Sequence, residues 1–330
     1  MVTVAVAGGT GKVGRTIVEA IVAAGKHEVV VLSREENKSL EQELGAPIVA
    51  VDSHDVDALT QLFEKHNVHT IISTFGMNGP TPPELELIQA AEAAQPTKRF
   101  ISSDWGLPHT EEHAKQANSA NNKFRAQEEL RKTNLEWTSI HNGFFVDFWG
   151  SPTTKSYLHN AATFLDIKHR TAAIPGSGDV PVTFTFSKDV AKYVAAFLDL
   201  EKWEQRTFII GDKVTMNELV KIAEEATGTS FAGGKLKDRK LISSLGDKFT
   251  VTYDSVETLK KGQLTELPGH VPMYNFVPKA VLQSVMAAYG LWVETGGFDL
   301  DESRTLNKEF PDITPISVKD FLREAWGTKN

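Results

Sequence analysis

The chain has 330 residues, 41% hydrophobic and 24% charged, with 35 Lys and Arg against 43 Asp and Glu for a formal net charge of −8. That balance offers no basic footprint for nucleic acid and implies no membrane surface, and the length suits one large α/β domain with an appended lobe or two domains. Cysteine is absent, which excludes disulfides, thiolate metal sites and cysteine nucleophiles. With no cationic leader and no apolar run of membrane-spanning length, the expectation is a cytoplasmic enzyme or binding protein.

The first stretch, Val2-Thr3-Val4-Ala5-Val6-Ala7, is short, apolar and partly β-branched, and it breaks into Gly8-Gly9-Thr10-Gly11-Lys12-Val13-Gly14. Val13, Ile17, Val18 and Ile21 then follow at helical spacing, so the segment reads as strand, tight turn, helix. In that frame Gly8 allows the sharp turn, Gly11 lets backbone approach a diphosphate, and Gly14 lets the helix pack close on the strand. The phosphates would sit on the N–H groups at the helix start, among Thr10, Gly11, Lys12, Val13 and Gly14. The spacing is G-x-x-G-x-x-G, offset from the usual dinucleotide fingerprint, and its place in the first βα unit makes it informative.

Residues 28–32 form a second buried strand, followed at once by Ser33 and Arg34. In dinucleotide-binding folds an acid at this position meets a free 2′-hydroxyl and an arginine meets a 2′-phosphate, so Arg34, with Lys12 in the glycine turn, favours NADP(H) over NAD. Glu35 and Glu36 keep open the alternative that Arg34 is a solvated loop residue. A third strand over 47–51 leads to Asp52, which could approach the adenine, and a helix over 55–66 carries Asp55 as a candidate N-cap. The fourth strand, 70–73, runs into Thr74, Phe75 and Gly76, candidate cofactor contacts, and then Met77 and Asn78, which are pocket candidates or loop filler.

A helix over 83–94, a fifth strand over 98–102 and, after a polar segment at 109–122 with two solvated histidines, a helix over 119–132 precede a sixth strand at 136–140. The repeated strand, helix, strand order predicts a doubly wound parallel sheet of the Rossmann type with right-handed crossovers. From Phe144 the pattern changes to short strands (182–186, 207–210) and helices (187–200, 215–226, 278–289, 317–326), with Thr215 and Glu218 spaced as a capping box. The expected division is a cofactor-binding domain over 1–150 and a smaller substrate-binding lobe over 151–330, interleaved with the first.

The glycine turn, Ser33-Arg34, Phe100-Ile101-Ser102-Ser103-Asp104-Trp105-Gly106, Lys123 and Trp137-Thr138-Ser139-Ile140-His141-Asn142-Gly143-Phe144-Phe145 together resemble the NmrA-like and isoflavone reductase-like branch of the atypical short-chain dehydrogenases. The resemblance spans about residues 1 to 230. Typical short-chain dehydrogenases carry a tyrosine four residues before the lysine; here Ser119 stands there, so the tyrosine mechanism is absent. The resemblance implies that Lys123 holds the nicotinamide ribose and protonates or polarises the substrate. Ser102 is a further cofactor contact, and Trp105, His141, Asn142, Phe144, Phe145 and Phe148 are substrate-contact candidates. For His141 a satisfied structural histidine is the commoner outcome, and the aromatic cluster is equally readable as plain core. Loop 176–179 resembles one that lies near the ligand in relatives. No histidine and carboxylate spacing suggests a metal.

The resulting expectation is an NADPH-dependent reductase of a small aromatic or conjugated carbonyl compound. The alternative implied by the same resemblance is a non-catalytic sensor that binds NADP(H) and reports to a protein partner. Sugar-nucleotide epimerases share the fold but need the missing tyrosine.

Overall fold

A computed structural model describes residues 1–77, 79–228 and 248–327 of the chain. Asn78, one of the pocket candidates, lies outside the described residues. The chain divides into two compact units: residues 1–142, 187–209 and 301–314 form the first, and 143–186, 210–300 and 315–330 the second. Among the described residues no helix is long and apolar enough to cross a membrane.

In chain order the strands are β1 Thr3–Ala7, β2 Glu28–Ser33, β3 Ile48–Ala50, β4 Val68–Ser73, β5 Arg99–Gly106, β6 Glu136–His141, β7 Phe144–Phe145, β8 Leu165–Asp166, β9 Thr171–Pro175, β10 Pro181–Thr185, β11 Arg206–Phe208, β12 Asp212–Thr215 and β13 Thr250–Asp254. The helices used below are α1 Lys12–Ala24, α2 Lys38–Leu44, α3 Val56–Lys65, α4 Glu84–Ala93, α5 Glu111–Gln116, α6 Asn118–Leu130, α7 Ser187–Phe197 and α8 Met216–Gly228.

The first unit is built on a seven-stranded sheet in the order β11-β6-β5-β4-β1-β2-β3, parallel throughout. This is the doubly wound order, with a reversal of direction between β1 and β4 that leaves a crevice at the carboxyl ends of those strands. All five residues of β1 are buried, as a strand covered on both faces requires. Helix α1 buries Ile17, Val18 and Ile21 and ends at Gly25, whose φ of 65° lets its N–H reach the Ile21 and Val22 carbonyls. Helix α3 starts where expected, the Asp55 side chain accepting from Ala58 N at 2.9 Å.

The second unit contains two three-stranded sheets, β12-β10-β7 and β13-β9-β8. Its core is aromatic: Phe144 stacks on Phe298 with ring centroids 4.0 Å apart and meets Trp149 and Phe164 edge-on. The Thr215 and Glu218 capping box forms at the start of α8, with hydrogen bonds of 2.8 and 3.1 Å.

Candidate functional site

The glycine turn sits at the reversal point of the first unit. Gly8 holds a φ of +76°, and Gly11 N donates to the Gly8 carbonyl at 2.9 Å, closing the turn. A Cβ on Gly14 would lie 2.4 Å from the Gly8 oxygen and 2.5 Å from Thr74 Oγ1, so helix and strand end approach to a distance only glycine permits. Helix α1 has no side chain capping its N-terminus and no acidic residue in its first turn. Its leading N–H groups, which have no intrahelical acceptors, therefore present positive potential without a built-in counter-anion. These features fit a dinucleotide diphosphate.

Thr10 Oγ1 lies 3.4 Å from Ser33 Oγ, which brings the turn and the end of β2 together, and Arg34 follows, exposed. Glu36 faces Lys38, with 3.8 Å between ammonium and carboxylate. Lys12 is exposed at the start of α1, and Val13 is partly buried. Asp52 lies beyond the shortened β3, exposed, its carboxylate accepting from His54 N at 3.0 Å. Thr74 Oγ1 donates to the Ala7 carbonyl at 2.7 Å and Phe75 packs on the core beside Gly8, while Gly76 is exposed. Met77 is 4% exposed and belongs to the hydrophobic core of this unit, so it packs inward where the sequence suggested pocket lining or loop filler.

The strand expected to end at Ser102 continues to Gly106. Ser102 pairs with Ser139 but Gly106 with His141, so segment 103–105 of β5 bulges out of the ladder. The bulge turns the Asp104 carbonyl toward α6, where it accepts a hydrogen bond from Lys123 Nζ. The Asp104 carboxylate is fixed by Ser102 Oγ at 2.5 Å and by Gln127 Nε2 at 3.1 Å. Ser102 thus bonds inside the protein. Glu84, at the start of α4, accepts from the Ser73 hydroxyl and from Ser103 N at 3.0 Å. Trp105, partly exposed, donates its indole N–H to the Ser73 carbonyl at 3.0 Å.

Burial sets the electrostatics. It holds the Lys123 ammonium below the ordinary lysine value, with the Asp104 and Glu84 carboxylates pulling the other way. It pushes the Glu84 carboxyl up to about 7. His109, expected in solvent, is 5% exposed and is held neutral, down to about 2, by burial and then by the nearby Lys123. His141 is fully buried as the last residue of β6, 3.0 Å from Ser139 Oγ, and burial holds it at about 4. It is therefore a neutral structural imidazole at physiological pH, not a charged acid. Asn142 beside it is fully buried, and its N–H donates to the Gly106 carbonyl at 3.0 Å.

In the second unit, Phe144 and Phe145 are 4% and 6% exposed, while Phe148 remains partly exposed. Phe144 is a core residue. Loop 176–179 is tied down locally: Ser177 N donates to Glu294 at 3.1 Å, and Asn217 Nδ2 to Asp179 at 2.7 Å. A depression of about 540 Å³ along α1 and α7, lined by Ala20, Ala191 and Ala195 among others, contains none of the candidate site residues.

Glu84, His109 and Gln127 were not found from sequence. Gln127 carried a usable signal, since it stands one helical turn after Lys123 on the same face. Glu84 carried none, because an acidic residue opening a helix is ordinarily a solvated dipole partner.

The model of the NmrA-like family matches residues 2–259. Oxidoreductase BOA1 of Botryotinia fuckeliana is 34% identical over 96% of this chain and 96% of its own length. Oxidoreductase swnN of Metarhizium robertsii is 28% identical over 100% of this chain and 98% of its own. Among solved structures, the binary complex of leucoanthocyanidin reductase with NADPH from Vitis vinifera shares the fold, with a TM-score of 0.70 and 16% identity over 99% of this chain and 100% of that one. The glycine cradle, the seven-stranded order and these relatives agree, and the chain belongs to the NmrA-like family as one of its oxidoreductases.

Proposed function

We propose that this protein is an NADPH-dependent reductase that delivers hydride to a small aromatic or conjugated carbonyl-type substrate. The observation that carries the reading is Lys123: a partly buried lysine at the carboxyl edge of the sheet, anchored on the bulged Asp104 carbonyl. A contiguous set of contacts joins it to the glycine cradle. Gly14 approaches Thr74, Ser73 binds Glu84, Glu84 binds Ser103, and the next residue, Asp104, holds Lys123.

Gly8, Gly11 and Gly14 with the α1 N-terminus would hold the diphosphate, and Arg34 with Lys12 the 2′-phosphate. Ser33, Thr10, Asp52 and the Thr74 to Gly76 segment would line the adenosine and ribose path. A bound nicotinamide supplies the hydride. Lys123 has three donors, of which the Asp104 carbonyl takes one, leaving the others for a ribose hydroxyl and the substrate oxygen. Its depressed affinity for the proton makes it a better acid than a solvated lysine when negative charge develops on that oxygen. The NADPH complex of the structural neighbour supports the choice of cofactor. Trp105, partly exposed at the end of β5, supports an aromatic substrate.

The test is Lys123→Ala assayed by NADPH oxidation against a panel of aromatic carbonyl and enone compounds. Turnover should fall by about 10²-fold or more, with a much smaller change in NADPH affinity. Turnover equal to wild type removes the assignment of Lys123.

A further inference from the structure

Glu84 has no role in the reaction as written above, yet it is built into the site as firmly as Lys123. It opens α4 and is 1% exposed. One carboxyl oxygen accepts from the hydroxyl of Ser73, the last residue of β4, and the other from the N–H of Ser103 in the β5 bulge at 3.0 Å. A single carboxyl therefore clamps the carboxyl ends of two adjacent strands, one residue away from the Asp104 carbonyl on which Lys123 rests.

The charged and titratable groups that face this pair are few. Asp104 and Lys123 act on Glu84; Asp104, Glu84, His109 and His141 surround Lys123. Both histidines are buried and neutral, so the negative charge available to the partly buried Lys123 ammonium comes from two carboxylates. Asp104 is the larger influence on Lys123 and Glu84 the second.

We propose that Glu84 is a positioning residue of the Lys123 site: its clamped carboxylate is the second buried countercharge of the Lys123 ammonium, and its own loss of charge weakens the hold of Lys123 on its proton. The inference rests on Lys123 being the group that meets the reactants. Burial, followed by the neighbouring Asp104 charge, pushes Glu84 up to about 7, against the pull of Ser73, Ser103 and Lys123. Glu84 thus changes charge near neutrality. When it is protonated, Lys123 keeps one carboxylate instead of two and gives up its own proton more readily.

The measurement is the titration of the Lys123 ε-methylene by NMR in protein labelled with ¹³Cε-lysine, the signal assigned by its absence in Lys123→Arg. It is run from about pH 6 to about pH 11, the range that brackets a depressed lysine. Glu84→Gln keeps the shape and removes the charge, and the Lys123 midpoint should fall by about one pH unit. Ser73→Ala removes a hydroxyl that favours the carboxylate, and should move the midpoint in the same direction by less. If Glu84→Gln does not fold, Ser73→Ala decides alone. A midpoint that stays fixed or rises in the folded variants overturns the proposal. The pH profile of kcat is recorded in parallel. A Lys123 midpoint that moves while the alkaline limb of kcat stays in place supports the Glu84–Lys123 pairing and removes Lys123 from the reaction. A fixed midpoint removes Glu84 whatever kcat does.

Discussion

Gly14→Ala tests the cradle directly. The added methyl would sit 2.4 Å from the Gly8 carbonyl oxygen and 2.5 Å from Thr74 Oγ1, where a relaxed contact needs about 3.5 Å. Neither neighbour can swing aside cheaply. The Gly8 oxygen is main chain and accepts from Gly11 N at 2.9 Å, and the Thr74 hydroxyl is held by the Ala7 carbonyl at 2.7 Å. The turn and α1 must therefore separate by about 1 Å, at the cost of overpacking, about 1–3 kcal/mol of stability. The same displacement moves the N–H groups that would face the diphosphate, so NADPH affinity should fall roughly 10- to 100-fold, equivalent to about 1.4–2.8 kcal/mol. The assay is calorimetric titration with NADPH beside a thermal melt. Gly25→Ala is the control: its φ of 65° strains an alanine by about 1–2 kcal/mol, but nothing lies within 4 Å of the new methyl. It should lower the melting temperature and leave affinity alone. If Gly14→Ala binds NADPH as tightly as Gly25→Ala does, the reasoning about the cradle is wrong.

What the sequence disclosed and what it hid follow from the same physics. Strands β1, β2, β4 and β6 are apolar or β-branched runs buried in the sheet and bounded by turn residues, so they stand out in composition alone. Helices α1, α3 and α8 carry their own punctuation in Gly25, Asp55 and the Thr215 and Glu218 pair. Helix α2 went unseen because its seven residues bury only Leu44, although Asn37 caps it by accepting from Leu40 N. Helix α5 buries nothing at all. The β5 bulge is invisible to alternation, since Ser103 and Asp104 are polar yet buried, and apart from the bond from Ser102 to Asp104 their hydrogen bonds are made to residues far away in sequence. His109 looked solvated because its neighbours are polar, whereas its own ring is buried. Composition marked the aromatic cluster but could not tell core from pocket, and the close stacking of Phe144 on Phe298 makes Phe144 core.

Further outcomes follow from these placements. Arg34→Ala should weaken NADPH binding and leave NADH binding nearly unchanged in parallel titrations; equal loss for both removes the 2′-phosphate role. Phe144→Ala should cost about 3–5 kcal/mol in denaturant unfolding, since it empties the centre of an aromatic core, and a cost under about 1 kcal/mol would place Phe144 at a pocket wall instead. The pH dependence of stability sets Glu84 against two buried histidines, His141 and His109. Glu84 ionises near 4.5 when unfolded and near 7 when folded, so across that window the folded state holds the extra proton and stability falls as pH rises, levelling above 7. His141 titrates near 6.5 unfolded and near 4 folded, so across its window the unfolded state holds the extra proton and stability falls as pH falls. Each slope is about 1.4 kcal/mol per pH unit at most; between about pH 4.5 and pH 6.5 those of Glu84 and His141 cancel, leaving that of His109, held down to about 2, which acts in the same sense as His141. Glu84→Gln removes one slope. Its melting temperature should match wild type near pH 4.5, exceed it increasingly up to about pH 7, and fall more steeply than wild type on acidification. A difference from wild type that is the same at every pH would show that Glu84 does not carry its charge change inside the folded protein, and the coupling to Lys123 would fall with it.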